Sequence, residues 1–517
     1  MRVKNQESQE PQPEARPELA EAEMLMRAEH AVRALSPVLS DLVRGFTQRG
    51  ESLYLVGGSV RDALLGRLGH DLDFTTSARP QVIQEILEGY APAVWDTGIE
   101  FGTVSAEKGG QQIEITTFRS DSYDGVTRNP EVQFGDTLDG DLVRRDFTLN
   151  AMAVELSVDS GDAGGSGGSA SSDGSGGEVR GRFHDPMNGF AALRAGILDT
   201  PATPEQSFAD DPLRMLRAAR FVSQLEIRVA ERVEEAMRQM AGEISRITVE
   251  RVRAELDKLM GGRRPEAGWE LLVRTGIADL IFPEVAGLHL TPDEHLQHKD
   301  VYAHSMTVLR QAIDQEEPGE SPDLVLRWAA LLHDVGKPAT RAAKPGGGVT
   351  FHHHEVVGAK MVRKRMRALK YSKQMVSDVG QLVFLHMRFH GFSEGQWTDS
   401  AVRRYVTDAG PLLPRLHKLV RADCTTRNKK KAARLQANYD HLEERIEEIQ
   451  AKEDLARVRP DLDGNEIMEI LGLKPGPEVG RAWAYLKEVR LERGPMERSE
   501  AIEVLQEWWA GQTERAE

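Results

Sequence analysis

The sequence predicts an α+β protein, with a mixed-sheet head followed by a long helical body. Between residues 52 and 153, short apolar runs such as ESLYLVGG and LNAMAVEL alternate with helical patterns, which is typical of a sheet covered by helices. After residue 203, apolar residues recur at helical spacing, as in DPLRMLRAARFVSQL. With 517 residues, the chain is long enough to form several domains.

The order of these patterns predicts the domain boundaries. Residues 1–30 have no apolar core of the kind that a secretory signal needs, and they are expected to form a disordered tail. The Gly/Ser-rich segment at 160–177 precedes the strand-like RFHDP, which predicts a flexible insert in a hairpin loop. The predicted units are a head at 31–200, a helical neck at 201–280, a helical domain at 281–440 and a helical C-terminal region at 441–517.

Composition narrows the location and the partners. One cysteine, Cys424, and no apolar run long enough to span a membrane predict a cytoplasmic protein without disulfides or membrane contact. The formal net charge of −16 argues against general binding of polyanions, and no DNA partner is expected. The basic runs at 360–373 and 425–434 could each be a solvated helix face. Two such runs in one acidic chain favour a surface for a phosphate backbone.

Two carboxylates, Asp71 and Asp73, are one residue apart in the sequence HDLDF. On a strand they would share one face, with Leu72 and Phe74 anchored on the other. Like charges this close need a cation, and carboxylates bind Mg²⁺ well, which indicates phosphoryl transfer. A pair of this kind standing alone is more often a solvated turn or edge strand.

The neighbouring sequence strengthens the interpretation as a metal site. Gly57 and Gly58 end one predicted strand and open a helix, where bare backbone N–H groups can approach a triphosphate. Arg61 follows on that helix. Glu114 lies in the alternating QIEITTFR, which predicts an adjacent strand with a third carboxylate on one face.

Five motifs together resemble one known family. VGGSVRDALLG, HDLDF, IEITTFR, RRDFTLNAM and DDPLRMLRAARF occur in the order found in class II tRNA nucleotidyltransferases and poly(A) polymerases of the polymerase-beta superfamily, over about residues 54–259. The resemblance implies that Asp71 and Asp73 bind Mg²⁺ and that Glu114 assists in catalysis. It also implies a nucleotide-binding set: Gly57, Gly58, Arg61, Arg144, Arg145, Asp146, Asn150, Asp211, Arg214 and Arg217.

The next motif of that family departs from its usual pattern here. In DPMNGFAAL, Asn188 replaces a glycine and Ala192 stands where the family has an acid, whereas Asp185 is retained. No site role is therefore predicted for this segment.

Asp211 and Arg214 are three residues apart on one helix face, and they offer a carboxylate acceptor beside a guanidinium donor. This pair matches the edges of cytosine and adenine, whose exocyclic amines donate and whose ring atoms accept. The resemblance implies that the family selects nucleotides in this way. As an alternative, Asp211 before Pro212 is a good helix N-cap. Both roles are compatible.

A second constellation lies further along the chain. His304 in VYAHSM, His333 and Asp334 in LLHDVGK, and Asp423 in VRADC fall in helical patterns and could together hold a divalent transition metal. Their order resembles the HD phosphohydrolase superfamily, so the helical body is expected to contain an HD domain. Several further histidines could extend this site or lie on the surface, and the sequence does not decide between these alternatives: His352, His353, His354, His386 and His390.

The combined resemblance predicts template-independent addition of CCA to tRNA 3′ ends from CTP and ATP. In this function, residues 201–280 would bind nucleotide and RNA and residues 441–517 would bind tRNA. A poly(A) polymerase, or an enzyme that adds only CC or only A, is the nearest alternative. A metal-dependent phosphohydrolase acting in RNA end repair is an alternative of another class. A non-catalytic RNA-binding protein is disfavoured by the intact Asp-x-Asp pair.

Overall fold

The computed structural model describes residues 21–96, 98–119, 135, 137–159, 177–289, 300–343, 349–391, 397–426, 428–453 and 458–513. The chain forms two compact units, Met1–Arg246 and Ile247–Glu517. The predicted boundaries near residues 200, 280 and 440 remain predictions.

The first unit is built on a seven-stranded mixed sheet with the order β3-β4-β5-β2-β1-β6-β7. Strands β2 and β5 run parallel, whereas the other neighbouring pairs are antiparallel. The strands are β1 Leu53–Val56, β2 Asp71–Thr76, β3 Ala93–Trp95, β4 Thr103–Lys108, β5 Gln111–Thr117, β6 Ala153–Val158 and β7 Val179–His184.

Nine α-helices, three short 3-10 helices and one small strand pair complete this unit within the described residues. The helices are α1 Glu21–Ala34, α2 Ser36–Thr47, α3 Gly58–Leu64, α4 Pro80–Glu88, α5 Leu138–Val143, α6 Gly189–Ala195, α7 Pro204–Asp210, α8 Leu213–Leu225 and α9 Glu231–Met240. Strands β8 Ile197–Leu198 and β9 Arg228–Val229 pair in parallel.

Helix α1 corrects one prediction from the sequence. Met24, Ala28 and Val32 recur every four residues, so they lie on one side of α1 and pack into the core under the sheet. Residues 21–30 are therefore helical and not part of a disordered tail. The many charges around these three apolar residues hid the helical spacing. Residues 1–20 lie outside the described residues.

Strands β6 and β7 form an antiparallel hairpin, with Val158 opposite Val179. This pairing confirms that the Gly/Ser-rich segment connects two strands of one sheet. The segment itself, at 160–176, lies outside the described residues.

Where the structure describes it, the second unit is helical apart from the short pair β10 Ala342–Ala343 and β11 Val349–Thr350. Trp269, Phe282 and Trp328 pack against one another in its core. The described helices are α10 Val249–Met260, α11 Pro265–Arg274, α12 Ile277–Ile281, α13 Pro283–Ala286, α14 Val301–Ile313, α15 Leu324–Leu332, α16 Lys337–Thr340, α17 His354–Ala368, α18 Lys373–Leu385, α19 Asp399–Ala409, α20 Leu413–Ala422, α21 Lys429–Gln450, α22 Gly464–Leu471, α23 Pro477–Arg493 and α24 Arg498–Thr513.

The predicted α+β class, a mixed-sheet head followed by a helical body, is confirmed. Among the described helices, none combines the length and the apolar character needed to cross a membrane.

Deleting residues 164–176 should change the free energy of unfolding by about 1 kcal/mol or less, because closure entropy varies slowly with loop length. Urea denaturation of both proteins measures this change. Gly177 must be kept, since a Cβ at this position would lie 2.6 Å from Val158 Cγ1. The variant Gly177→Ala is therefore expected to be less stable than the deletion. A large loss of stability on deletion would contradict the hairpin-loop interpretation.

Candidate active site and metal centre

Three carboxylates share the exposed face of the sheet. Along β2, Leu72 and Phe74 are buried, whereas Asp71 and Asp73 alternate with them and are exposed. The parallel register of β2 and β5 places Glu114 directly beside Asp73. The predicted common face of Asp71 and Asp73 and the adjacent position of Glu114 are therefore observed.

Ser59 connects the glycine turn to the carboxylate strand. Its hydroxyl accepts a hydrogen bond from the Asp73 N–H at 3.0 Å and donates to the Asp71 carbonyl at 3.3 Å. Helix α3, which begins at Gly58, is thereby fixed to β2 at the two residues that carry the carboxylates. Gly57, Gly58 and the carboxylate pair consequently form one local structure.

The electrostatics of these carboxylates favour a bound cation. Reduced hydration raises the pKa of Asp73, and the charge of Asp71 raises it further, whereas Arg145 opposes both effects. Reduced hydration and the charge of Asp73 also raise the pKa of Glu114. A cation would relieve this repulsion, and an all-oxygen donor set suits Mg²⁺.

Gly57 is favoured by its backbone conformation and lies close to Arg145. Its φ of 66° lies in the left-handed region, and a Cβ there would be 2.8 Å from Arg145 Nη1. The Arg145 guanidinium therefore lies against the turn beside β2. Asp141 accepts a hydrogen bond from Arg145 Nη2 at 3.1 Å. The sequence analysis missed Asp141, although it lies four residues before Arg145, the spacing of a helical ion pair.

A chain of polar contacts joins the RRDFTLNAM motif to two helices. Arg61 Nη1 on α3 donates to Asn150 Oδ1 at 2.7 Å, and Asn150 Nδ2 donates to Asp146 Oδ1 at 3.0 Å. Arg217 Nε on α8 donates to Asp146 Oδ2 at 2.7 Å. Successive hydrogen bonds thus connect four of the predicted nucleotide-binding residues.

Asp146 is the charged centre of this chain and is buried. Burial by itself would raise its pKa, but the Arg217 guanidinium and the hydrogen bond from Asn150 hold the pKa below its ordinary value. The carboxylate is therefore ionised, and it fixes the orientations of Asn150 and Arg217.

Asp211 and Arg214 lie at the junction of α7 and α8. Asp211 Oδ1 accepts from the Leu213 N–H at 3.1 Å, as the capping alternative predicts. Arg214 donates to Ser207 Oγ and to the Arg144 carbonyl, both at 2.8 Å. Arg214 and Arg144 are therefore brought together, and base selection by Asp211 and Arg214 stays a prediction.

The four predicted residues of the second constellation converge in the helical unit. His304 lies within α14, whereas His333, Asp334 and Asp423 lie just after helices α15 and α20. His304 Nε2 is 3.0 Å from Asp423 Oδ1 and 3.2 Å from His333 Nε2. His333 Nε2 is 3.1 Å from Asp334 Oδ2. These atoms can bind a metal ion together.

Two histidines that the sequence left undecided join this cluster. His354 Nε2 is 3.3 Å from Asp334 Oδ1, and His386 Nε2 is 3.9 Å from the same oxygen. Both side chains are buried, whereas His352 and His353 are exposed. A run of three histidines gives no signal for which one points inward.

The charges in the cluster are strongly coupled. Burial would lower the pKa of His333, but Asp334 and Asp423 raise it to about 10. Burial and the charge of His333 lower the pKa of His386 to about 3. Without a metal ion, the His333 imidazolium therefore supplies the positive charge between the carboxylates.

Comparisons with known proteins match the same regions. Residues 53–199 match the family described as the poly A polymerase head domain. Residues 227–288 match the family described as a probable RNA- and SrmB-binding site of polymerase A. Residues 301–428 match the HD domain family. The A-adding tRNA nucleotidyltransferase of Deinococcus radiodurans is 31% identical over 448 residues, 84% of this chain and 91% of that enzyme. The chain belongs to the tRNA nucleotidyltransferase and poly(A) polymerase family.

Two further relatives are named CCA-adding enzymes. The enzyme of Geobacillus stearothermophilus is 30% identical over 376 residues, 71% of this chain and 81% of that enzyme. The enzyme of Lactobacillus helveticus is 37% identical over 252 residues, 48% of this chain. The match spans only about half of that second relative, 55% of its length.

Solved structures show the same fold. The Bacillus stearothermophilus CCA-adding enzyme in complex with CTP has a TM-score of 0.60 and 25% identity, over 93% of this chain and 98% of that one. The Thermotoga maritima CCA-adding enzyme with tRNA has a TM-score of 0.55 and 19% identity, over 94% and 97% of the two chains. This nucleotidyltransferase therefore has a metal-dependent head and an HD domain, as predicted, with candidate metal-binding groups among the described residues.

Replacing Asp146 with asparagine should lower the free energy of unfolding by about 2–3 kcal/mol at pH 7. Breaking a buried ion pair typically costs about 3–5 kcal/mol, and the Arg217 side chain is 32% exposed, which reduces the loss. Chemical denaturation of Asp146→Asn and wild type measures the difference.

The pH dependence and a control identify the cause. The pKa of Asp146 is lowered, so its contribution is present above the unfolded pKa of about 3.9 and is lost as pH falls further. The difference in unfolding free energy between variant and wild type should therefore narrow below about pH 4.

Asp159 forms an exposed pair with Arg180, and Asp159→Asn should lower the free energy of unfolding by less than about 1 kcal/mol. Equal losses in both variants would contradict the buried ion pair.

Proposed function

We propose that this chain completes the 3′ ends of tRNA without a template, adding C, C and A from CTP and ATP with release of pyrophosphate. The observation that carries this proposal is the placement of three carboxylates on neighbouring strands beside a glycine turn and two arginines. The names of the relatives, which are CCA-adding and A-adding enzymes, support the same reaction. We also propose the cytoplasm as its location.

Asp71 and Asp73, with the help of Glu114, would hold Mg²⁺. When bound, Mg²⁺ supplies charge neutralisation to the triphosphate and makes the tRNA 3′-hydroxyl a better nucleophile. The donor set fits this ion because all three side chains end in carboxylate oxygens on one sheet face.

The arginines and the glycine turn would bind the incoming triphosphate. Arg145 lies against Gly57 and Arg61 is held by Asn150, so both cations are oriented beside the carboxylate strand before substrate arrives. The turn at Gly57 and Gly58 carries no side chain, and its backbone N–H groups could donate to phosphate oxygens. Asp146 would act on Arg217 by holding its guanidinium. This preorganised charge supports binding of an anionic substrate.

Base selection would fall to Asp211 and Arg214, with Arg144 holding the Arg214 guanidinium through its backbone carbonyl. The Asp211 carboxylate can accept from the exocyclic amine of cytosine or adenine, and a guanidinium can donate to a ring acceptor. Uracil and guanine present a carbonyl where the amine is required, so they would leave buried polar groups unpaired.

An enzyme that adds only A is the nearest alternative, because the relative with this name matches 91% of its own length. Three tRNA substrates separate the possibilities: one without the tail, one ending in C and one ending in CC. Each is incubated with all four nucleotides and the product ends are sequenced. The proposal expects CCA on all three; addition only to the CC-ending tRNA would indicate an A-adding enzyme, and long A tracts a poly(A) polymerase.

The HD cluster favours a second candidate function, the metal-dependent hydrolysis of phosphate esters in RNA end repair. His304, His333, Asp334 and Asp423 place two imidazoles and two carboxylates within contact of one another. Such a donor set suits a divalent transition metal. Release of phosphate from a tRNA with a phosphorylated 3′ end would test it, and loss of this release in His333→Ala with Asp334→Ala would support it.

Asp71→Asn and Asp73→Asn should each reduce nucleotide addition by about a hundredfold or more, because the ion site loses a charged ligand. Thermal stability without Mg²⁺ should be unchanged or higher. The pKa of Asp73 is raised, so its ionised form opposes folding above that pKa, and the neutral amide removes this cost.

Addition assays and thermal melts of the same preparations measure the two effects. Glu107→Gln on β4 is the matched control, since it removes an exposed carboxylate from the same sheet and should retain addition. Near wild-type addition by Asp71→Asn or Asp73→Asn would contradict the ion site.

Asp211→Asn decides between base selection and capping. An asparagine side chain can still cap the Leu213 N–H, so the fold should be unaffected. Its amide can also donate where the carboxylate only accepted, so the kcat/KM ratio of CTP to UTP should fall by about tenfold to a hundredfold.

Steady-state kinetics with CTP and UTP on the same truncated tRNA measure this ratio. Asp210→Asn is the control, because the Asp210 carboxylate accepts from Gln206 at 2.7 Å and has no proposed role in base choice. An unchanged ratio in folded Asp211→Asn would leave capping as the sole function of Asp211.

A further inference from the structure

One buried aromatic ring in the head contacts three cations. Phe221 on α8 is 3% exposed. The guanidinium carbons (Cζ) of Arg220, Arg61 and Arg217 lie 4.4, 5.2 and 5.8 Å from the centre of its ring. All three distances are within the range of about 6 Å over which the negative face of an aromatic ring attracts a cation. We call these three residues the arginine triad.

The arginine triad is gathered from two helices. Arg217 lies four residues before Phe221, so both side chains lie on the same face of α8, whereas Arg61 lies on α3. Significant contacts between a cation and a ring occur about once in 70–80 residues, so three on one side chain exceed what chance placement gives. Phe221 is therefore the point at which α3 and α8 bring their cations together.

A second aromatic residue fixes the orientation of the ring. Phe147 packs against Phe221 in a T-shaped arrangement, with the ring centres 5.7 Å apart and the planes at 88°. Phe147 is fully buried and directly follows Asp146, the carboxylate that accepts from Arg217. The Phe221 ring and the buried ion pair therefore belong to one packed unit.

The ring holds its cations in a different way from the carboxylates. Arg61 donates to both oxygens of Asp62, from Nε at 3.1 Å and from Nη2 at 2.8 Å. Arg217 donates from Nε to Asp146 at 2.7 Å. These N–H groups are occupied. Attraction to the Phe221 ring depends instead on the charge of each guanidinium and leaves its remaining donors for another acceptor.

Two members of the arginine triad also act on the carboxylate strand. Reduced hydration is the largest influence on the pKa of Asp73 and raises it, and Arg145 is the strongest of the opposing cations. Arg61 and Arg217 also lower the pKa of Asp73. Both guanidiniums are therefore within electrostatic reach of the candidate ion site, where the proposed triphosphate would meet the ion.

We propose that Phe221 is a positioning residue of the nucleotide site, whose ring holds Arg61 and Arg217 towards the polyphosphate chain of the incoming nucleotide. This inference rests on the proposed nucleotide-binding role of these two arginines. Phe221 itself is buried and acts through them. Because the cations are held before the substrate arrives, less side-chain freedom is lost when the anion binds.

A ring that only fills space predicts a different result. The apolar surface that it buries depends on its size and shape, whereas its attraction for cations depends on the negative charge of its face. Fluorine atoms on the ring withdraw electrons from this face and change the shape little. Stepwise fluorination of Phe221 therefore separates the two roles.

The experiment uses the full chain with Phe221 replaced, by stop-codon suppression, with phenylalanine analogues that carry one, two or three ring fluorines. Calorimetry measures the Kd of CTP and of inorganic tripolyphosphate, both in the presence of Mg²⁺. Tripolyphosphate has no base, so its binding reports the cations alone. Both Kd values should rise with each fluorine, reaching about threefold to thirtyfold above those of the unfluorinated protein.

Steady-state addition provides a second readout. The KM values of CTP and UTP should rise in parallel along the series, so that their kcat/KM ratio stays constant, because base choice is assigned to Asp211 and Arg214. Phe46 is the matched control, since its ring is fully buried among apolar side chains of the core. The same fluorinations at Phe46 should leave both Kd values unchanged.

Kd values that stay constant along the Phe221 series in folded proteins, or that rise equally along the Phe46 series, would overturn the positioning role. Absence of tripolyphosphate binding by the unfluorinated protein would overturn it as well. Circular dichroism checks the fold, and the proteins with one and two fluorines suffice to show the trend if the protein with three does not fold.

The proposed tRNA function is judged separately. Sequencing of the product ends made by the unfluorinated protein decides whether CCA is added, whereas tripolyphosphate binding needs neither tRNA nor a base. A fluorination trend without CCA addition would support the role of Phe221 and reject the proposed function. CCA addition without the trend would do the reverse.

Discussion

The register between β2 and β5 is the constraint on which the head depends. Asp73 pairs with Glu114 across two parallel strands, while Leu72 and Phe74 fill the core on the opposite face. Because side chains alternate along a strand, a slip of one residue would bury the carboxylates and expose the apolar side chains. The apolar core therefore fixes the position of the three carboxylates, which form the candidate ion site. No interaction between the charges themselves is needed to place them on one face.

Alternation is also why the carboxylate site could be predicted from the sequence. Period-two spacing places Asp71 with Asp73 on any strand, and QIEITTFR shows the same spacing around Glu114. The contact between Asp146 and Arg217 joins residues 71 positions apart, and no periodicity relates them. Family resemblance supplied both residues as nucleotide contacts, but their mutual ion pair is a tertiary contact. The contact between Arg145 and Asp141 has helical spacing, so a local signal for it was present and was overlooked. Helix α1 was missed although its signal is local. Its three buried apolar residues recur every four positions, but the surrounding charged residues made this spacing hard to recognise.

The HD cluster shows a different limit of sequence patterns. Most of its side chains come from helix ends, where one residue of shift changes which side chain points inward. In FHHHE, His353 adopts a left-handed conformation with a φ of 60°, and His354 then opens α17 facing the Asp334 loop. Hydrophobic periodicity predicts neither the left-handed conformation of His353 nor the start of α17 at His354. Gly336 was a visible clue, since a glycine after a metal-binding pair indicates close backbone approach, but the element that approaches could not be identified from sequence alone.

The two sites solve the problem of crowded negative charge by different means. In the head, the carboxylates keep access to solvent and the Arg145 guanidinium lies nearby, so the like charges are eased by water and by this cation. In the helical body, Asp334 is buried among imidazoles, where a carboxylate without a counter-charge would be costly. The His333 imidazolium and the Lys337 ammonium, whose Nζ is 2.9 Å from Asp334 Oδ2, both supply that charge and lower the pKa of Asp334. The donor sets therefore differ together with burial: the three exposed carboxylates of the head offer only oxygen, whereas the buried cluster of the helical unit offers mainly imidazole nitrogen.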